Sequence, residues 1–331
     1  MRKFLALTLC LLTVIPMALV GCGNTEAGNN EVAATVKFGA GEYISTPTVA
    51  DATEDKNGSG KLDVTFAAVT VDADGKIVAC ELDTASNTVN FTADGKAVAN
   101  AEFKTKYELG NDYNMVKYGG SAKEWFEQAD AFEKVVAGKT IDEVKALVAE
   151  GNKGTEEVVT AGCTIMVNEF VAAIEKAYNA ATTEISADAA LKVRIATEQT
   201  LADATEEKDG SNKISVYTFA AATDAEGKAV AASSDCVEVS FTFDLAGVAT
   251  LDTAKEIISK KNQGANYNMV AYGGATKEWF EQAAAFDAAC IGKTATEIAG
   301  LVAEDGKGVA DLQSAGCTIY VTGFVKAASK N

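Results

Sequence analysis

The pentapeptide Ala-Gly-Cys-Thr-Ile occurs twice, at 161–165 and at 315–319. Each copy sets a hydroxyl, Thr164 or Thr318, behind a glycine (Gly162, Gly316) and a cysteine (Cys163, Cys317). Small residues ahead of a threonine let a bulky group approach its backbone and its oxygen. The same segment also reads as a tight entry into a β-strand, because glycine beside a strand marks close backbone approach. Upstream stands a second repeated set: Tyr113, Met115, Tyr118 and Trp125 in the first copy, Tyr267, Met269, Tyr272 and Trp279 in the second. Aromatic and thioether side chains suit a flat, polarizable ring through offset stacking and sulfur contacts. Two plainer readings stand beside this one. The Tyr-Asn-Met-Val-x-Tyr-Gly-Gly stretch can be a loop crossing helix ends, and the tryptophans can be core residues opening an amphipathic helix.

Other chemistries are excluded by composition. With no histidine among 331 residues, there is no Ser-His-Asp triad, no Cys-His pair and no histidine-containing zinc or haem site. Lys and Arg number 29 against 47 Asp and Glu, a net charge of −18, which opposes binding to nucleic acid. Hydrophobic residues make up 48% of the chain, enough for real cores, so the acidity is not that of a disordered tail. The segment Asp55 to Asp63 resembles the front of a calcium loop. Phe66, however, stands where the twelfth-position glutamate belongs, so a surface turn is expected.

The elements that must position these residues are written twice. From Tyr113 to Phe170 the chain repeats itself at Tyr267 to Phe324 with 33 identities in 58 positions, and the block from Ala50 recurs from Ala202. This predicts two tandem duplicated domains, 35–178 and 188–331, joined by a short connection at 179–187. Within each, Leu62 to Val71 and Lys76 to Leu82, and likewise Lys213 to Ala222 and Lys228 to Ala232, flank hairpin-turn signals at Asp72–Gly75 and Asp224–Gly227. An apolar stripe at helical spacing runs from Trp125 to Val136 and stops at Gly138. Capping boxes at Thr140–Glu143 and Thr294–Glu297 open a second short helix. The Cys-Thr-Ile-x-Val segment is expected as a strand, with a final helix from about Asn168 burying Phe170 and Ile174. Each domain is thus α+β, an antiparallel sheet with helices packed on one side. Cys80 aligns with Ala232 and Cys290 with Val136, and Cys163 and Cys317 fall in different repeats. With Cys236 these thiols are expected free and buried.

Two resemblances add to this reading. Met1-Arg2-Lys3, the apolar stretch Phe4 to Val20 and the turn into Gly21-Cys22 resemble a bacterial lipoprotein signal. That implies a signal peptide over 1–21, cleaved before Cys22, and a diacylglyceryl-type anchor with palmitate-like chains on Cys22, so that two acyl chains hold the protein to the membrane. Cys10 would leave with the signal. Residues 22–34 would be a flexible tether, and the protein would sit on the cell membrane facing the extracellular side. The remainder, through Gly41-Glu42-Tyr43, the hairpin ending in GKIVACELD, the KEWFEQ helix, the GKT turn and the closing small-residue-plus-threonine motif, resembles the FMN-binding domain family. In that family a flavin transferase moves FMN from FAD onto a threonine hydroxyl, and the resemblance assigns the acceptors to Thr164 and Thr318. It implies two FMN groups, a membrane dehydrogenase or quinone as electron donor, and an extracellular acceptor. The chain departs from the family motif in having Cys163 and Cys317 before the threonines, Ala161 and Ala315 at the preceding hydroxyl position, and Glu157 and Asp311 one residue too far upstream.

The expected function is therefore that of an electron carrier and not an enzyme with its own substrate. The competing expectation is a cell-envelope binding or structural lipoprotein without flavin. For the anchor the expected result is definite. Cys22→Ser should leave an unprocessed precursor that takes up no radiolabelled fatty acid, because a serine oxygen cannot form the thioether. Absence of label on the wild-type protein would remove the anchor.

Overall fold

A computed structural model describes residues 34–330. The signal-like segment, Cys10, Cys22 and the tether up to Ala33 lie outside the described residues. Ten described helices and two antiparallel sheets make a mixed α/β structure.

Each half begins with strands because β-branched residues alternate there around a tight turn. In the first half, β1 (Thr35–Ile44), β2 (Thr48–Ala50), β3 (Gly58–Val71), β4 (Ile77–Phe91) and β5 (Ala97–Val98) precede the helices. The hairpin between β3 and β4 is closed by Asp72, whose Oδ1 accepts from the amides of Asp74 (3.0 Å) and Lys76 (2.8 Å). The second half repeats this with β7 (Ala190–Ala202), β8 (Gly210–Thr223) and β9 (Ala229–Phe243), where Asp224 Oδ1 accepts from Glu226 and Lys228. Both expected hairpins are present, with longer strands than composition indicated.

Helices follow in the same order: α1 (Lys106–Leu109), α2 (Trp125–Val136), α3 (Ile141–Lys145), α4 (Glu156–Ala161) and α5 (Asn168–Asn179). After the short strand β6 (Thr183–Ser186) and the second sheet come α6 (Lys260–Gln263), α7 (Trp279–Cys290), α8 (Ala295–Ala299), α9 (Ala310–Ser314) and α10 (Thr322–Ala328). Both expected capping boxes form, with Thr140 and Thr294 accepting from the amides of Glu143 and Glu297.

Two expectations are corrected. The Cys-Thr-Ile-x-Val segments are not strands. Residues 163–167 and 317–321 run as loops between α4 and α5 and between α9 and α10, held by the single bridges Lys153 to Met166 and Lys307 to Tyr320. Their β-forming composition finds no neighbouring strand, since helices stand on either side. The stretch read as a plain connection contains β6, which pairs with β1 from Thr35↔Ser186 to Phe38↔Thr183 and so satisfies backbone groups on that sheet edge.

The sheets run β5-β4-β3-β1-β6 and β7-β8-β9. One face of each carries its own helices: Ala67, Val69, Trp125, Phe132 and Ile174 pack together in the first half, and Phe219, Trp279, Phe286 and Phe324 in the second. The opposite faces meet each other. Phe38, Leu62, Val64 and Phe66 from the first sheet share one buried cluster with Val193, Ile195, Val216 and Phe241 from the second. The boundary at 179–187 thus separates two repeats, each with its own helix-side core, that share a third cluster between their sheets; residues 34–331 group as one compact unit.

The contact between halves is reciprocal. Ala52 N donates to Gly247 O at 2.8 Å, and Ala204 N donates to Gly95 O at 2.8 Å. Ala249 N donates to Asp51 Oδ1 and Ala97 N to Asp203 Oδ1. Phe91 and Phe243 stack between them with centroids 4.4 Å apart and planes 6° apart. This is the pattern of a two-fold interface, in which each side offers the other the same groups. It also explains the repeated Ala-Asp-Ala-Thr blocks at Ala50 and Ala202, each of which clasps the opposite half. Of the calcium-like stretch only residues 55–57 lie at the expected turn; Gly58 to Asp63 already belong to β3, paired with β4, as does Phe66.

Residues 188–331 produced alone would leave the inner faces of β7, β8 and β9 uncovered. As a dilute monomer this half should bind a hydrophobic dye and show no cooperative transition in scanning calorimetry. A sharp, reversible transition in a species shown to be monomeric by ultracentrifugation would contradict the shared core.

Candidate functional site

Helix α2 opens with Glu124 as its N-cap. The Glu124 carboxylate, 6% exposed, accepts from the amides of Met115 (2.8 Å) and Val116 (3.2 Å). In the second half Glu278 accepts from Met269 (2.9 Å) and Val270 (3.2 Å). A carboxylate at a helix N-terminus is favoured by the free amides and by the helix dipole. Here the same group also pins the preceding loop, so the Tyr-Asn-Met segment is fixed against the start of the helix.

One turn further on, Gln128 lies on the buried face of α2, between Trp125 and Phe132. Its carbonyl oxygen accepts two hydrogen bonds from one residue: Thr164 N at 2.8 Å and Thr164 Oγ1 at 3.0 Å. Gln282 does the same for Thr318, at 2.8 Å and 2.9 Å. The other end of each glutamine is satisfied too. Gln128 Nε2 donates to Ser121 Oγ and Lys123 O; Gln282 Nε2 donates to Lys277 O and lies 3.9 Å from Met269 Sδ. Both glutamines are 1% exposed, and such a group is costly to bury unless it is bonded at both ends.

The glycine before each threonine ends a helix. Gly162 has φ +106°, donates to the last carbonyls of α4, and is followed by the Cys163 N to Val158 O bond of 3.1 Å. Gly316, at φ +99°, and Cys317 repeat the turn after α9. This is a Schellman-type helix stop, which requires a left-handed residue. The plain reading of the pentapeptide is thus a helix C-cap and not a strand entry. Each glycine also makes room: the space a methyl group would take is occupied by the ammonium of Lys123 or Lys277, and Lys277 Nζ donates to Ala315 O at 3.2 Å.

Beyond the turn the side chains divide by face. Cys163 and Cys317 are fully buried, and burial pushes both thiols up to about 11 against the smaller opposing effects of a backbone hydrogen bond and the nearby lysine. They stay protonated at neutral pH and are poor nucleophiles. Thr164 and Thr318 are exposed. Each hydroxyl gives its hydrogen to a buried amide oxygen, which fixes the torsion about Cα–Cβ and leaves the oxygen's lone pairs open to a partner from outside. The lysine lies over the preceding glycine, and the threonine is held on the loop that follows it.

Of the residues singled out in the sequence, the structure brings Thr164 to Gln128 and Gly162 to Lys123, and in the second half Thr318 and Met269 to Gln282 and Gly316 to Lys277. Tyr118 and Tyr272 project from the pinned loop, 75% and 88% exposed, beside the exposed Val116 and Val270. Trp125 and Trp279 are not presented to a ligand. They are 3% and 4% exposed and pack on Phe170 and Phe324 with centroids 5.7 Å away in both cases. Tyr113 and Tyr267 are half-buried, each under a lysine that also faces the tryptophan: Lys106 is 5.6 Å from Tyr113 and 5.5 Å from Trp125, and Lys260 repeats this. Glu157 is bound to Lys139 at 2.8 Å, and Asp311 lies in the first turn of α9. Among the described residues no group of acids and thiols could hold a metal ion.

Gln128, Gln282, Glu124, Glu278, Lys123 and Lys277 were missed as site residues, although all lie in the repeated Lys-Glu-Trp-Phe-Glu-Gln blocks. The available signal was a glutamine on the apolar stripe of an amphipathic helix, where a polar side chain needs a specific partner. Compared with protein-family models, with curated proteins and with solved structures, the chain matches none of them.

Gln128→Ala removes the acceptor for two hydrogen bonds. It should lower stability by about 1–3 kcal/mol, read as a shift in urea midpoint, and should speed hydrogen exchange at the Thr164 amide. Unchanged exchange there would mean that the glutamine does not hold the threonine in solution.

Proposed function

We propose that the protein is a lipid-anchored extracellular flavoprotein that carries FMN as a phosphoester on Thr164 and on Thr318 and relays electrons between a membrane donor and an extracellular acceptor. The observation that carries this reading is the pair of oriented threonine hydroxyls on exposed residues, each bound to a buried glutamine and each following a glycine turn that a lysine covers. It is supported by the resemblance to the FMN-binding domain family in the same segments.

The residues present fit the group. Attachment by a flavin transferase joins Thr Oγ1 to the phosphorus of the FMN half of FAD. The diphosphate bond to the AMP half breaks, AMP departs, and the hydroxyl proton passes to the transferase. The new diester keeps one negative charge, which Lys123 or Lys277 would neutralise across the Gly162 or Gly316 turn. The Thr Oγ1 hydrogen bond is lost, while the Thr N–H bond to the glutamine remains and holds the acceptor loop in place. Tyr118 with Val116, and Tyr272 with Val270, offer an exposed apolar surface on a pinned loop for an aromatic ring to lie against. When bound, FMN supplies the capacity to accept and release one or two electrons, and the protein contributes position and electrostatics. A tether suits a protein outside the membrane because it keeps the cofactor's local concentration independent of supply.

Co-expression with a matching flavin transferase should give a yellow protein whose intact mass carries two FMN groups. Thr164→Val and Thr318→Val should each remove one, since valine keeps the β-branched shape and deletes only the hydroxyl. Cys163→Ala and Cys317→Ala should leave attachment intact. A protein that stays colourless with active transferase present would favour a cell-envelope binding lipoprotein, and one that keeps both flavins as the double valine variant would make binding noncovalent.

A further inference from the structure

Strand pairing fixes which residues of the two halves correspond. Gly39 and Gly41 of β1 stand opposite Val69 and Ala67 of β3, while Lys192 and Arg194 of β7 stand opposite Ala221 and Phe219 of β8. Since β8 repeats β3, Lys192 occupies the place of Gly39 and Arg194 the place of Gly41. In the first half these glycines let α5 lie directly on the sheet. A Cβ at Gly41 would come 2.6 Å from Ala177 N, and one at Gly39 would overlap Ala177 O. The remaining space there is filled by Val69, Ile77, Ile141 and Ile174, and Tyr178 closes the end by donating to Gly75 O at 3.0 Å.

The second half is built of smaller residues at every one of these places: Ala221 for Val69, Ala229 for Ile77, Ala295 for Ile141 and Ala328 for Ile174. A cavity of 330 Å³ opens there, floored by Phe219, Ala221, Ala229, Ile298 and Ala328. Its rim carries Lys192, Arg194, Lys293 and Lys330, in a chain whose net charge is −18. Arg194 is paired with Glu81 at 3.3 Å and Lys330 with Glu108 at 2.8 Å. Among the described residues Lys192 and Lys293 pair with no carboxylate.

We propose that this cavity is a binding site for a small amphiphilic anion, an apolar chain or ring that carries a carboxylate. The apolar floor would take the body of the ligand out of water, while Lys192, exposed, and Lys293, partly exposed, the rim cations without a carboxylate partner among the described residues, can meet a charged head without losing all their hydration. The site exists in the second half only and does not depend on the flavin reading.

The test is calorimetric titration of the full-length chain with decanoate, with decanol and decyltrimethylammonium as neutral and cationic probes of the same length. Decanoate should bind saturably at one site, decanol more weakly, and the cation not at all. Ala229→Ile with Ala328→Ile restores the residues of the first half and should abolish binding with no fall in melting temperature. Lys192→Gln with Lys293→Gln, both near the surface, should weaken decanoate about tenfold and leave decanol unchanged, which keeps the proposal testable should the filled variant fold poorly. Absence of saturable decanoate binding would reduce the cavity to a packing fault. Equal affinity for decanoate and decanol, or undiminished binding to a folded Ala229→Ile, Ala328→Ile protein, would likewise overturn the proposal.

Discussion

Both sheets of this protein are apolar on two faces, and the structure depends on how the second face of each is covered. Helices supply one cover from within the same repeat. The other face, with Leu62, Val64 and Phe66 on one side and Ile195, Val216 and Phe241 on the other, can be removed from water only by the partner repeat. Apolar burial is the dominant favourable contribution to folding, so this shared layer sets the arrangement of everything outside it. The reciprocal bonds of Ala52 and Ala204 and the Phe91–Phe243 stack then fix the register of one half on the other, because they bind backbone to backbone at defined points.

A consequence is that each set of helices packs on the sheet face turned away from the shared layer. The threonine loops belong to those outer helical layers. Each is positioned by a chain of local restraints: Glu124 or Glu278 pins the aromatic loop to the helix, Gln128 or Gln282 binds the threonine, and a left-handed glycine lets a lysine lie across the turn. Cores of this kind are rigid, so both threonines are held by packed helices while staying exposed. The restraints are nearly identical in the two halves, and that is where the sequence identity between repeats is concentrated.

Divergence is as informative as identity. Where the repeats meet one another, residues differ but burial is kept, as with Phe66 and Thr218, which occupy equivalent places in β3 and β8. Where Gly39 and Gly41 are replaced by Lys192 and Arg194, and Val69, Ile77, Ile141 and Ile174 by alanines, a cation-rimmed cavity lies between helix and sheet. A duplicated protein thus carries its own control: the filled site shows what packing requires, and the open one shows what has been given up.

Much of the local structure was fixed by the chain itself. The Asp-x-Asp-Gly and Asp-x-Glu-Gly turns, the threonine capping boxes, the stripe from Trp125 to Val136 and the helix that buries Phe170 and Ile174 all depend on residues a few positions apart, and short-range physics is sufficient to specify them. Residues 163–167 show the limit. Their composition favours a strand, yet a strand needs a neighbour, and only the tertiary structure decides that none is there. The same holds for the shared inner layer. Alternating apolar residues announce that a face will be buried but not what will bury it. Gln128 was visible as a polar residue on an apolar stripe, but its partner Thr164 lies on another element, and no spacing rule connects them. Long-range pairing of this kind costs chain entropy that many contacts must offset together, which is why it belongs to the whole fold and not to any segment.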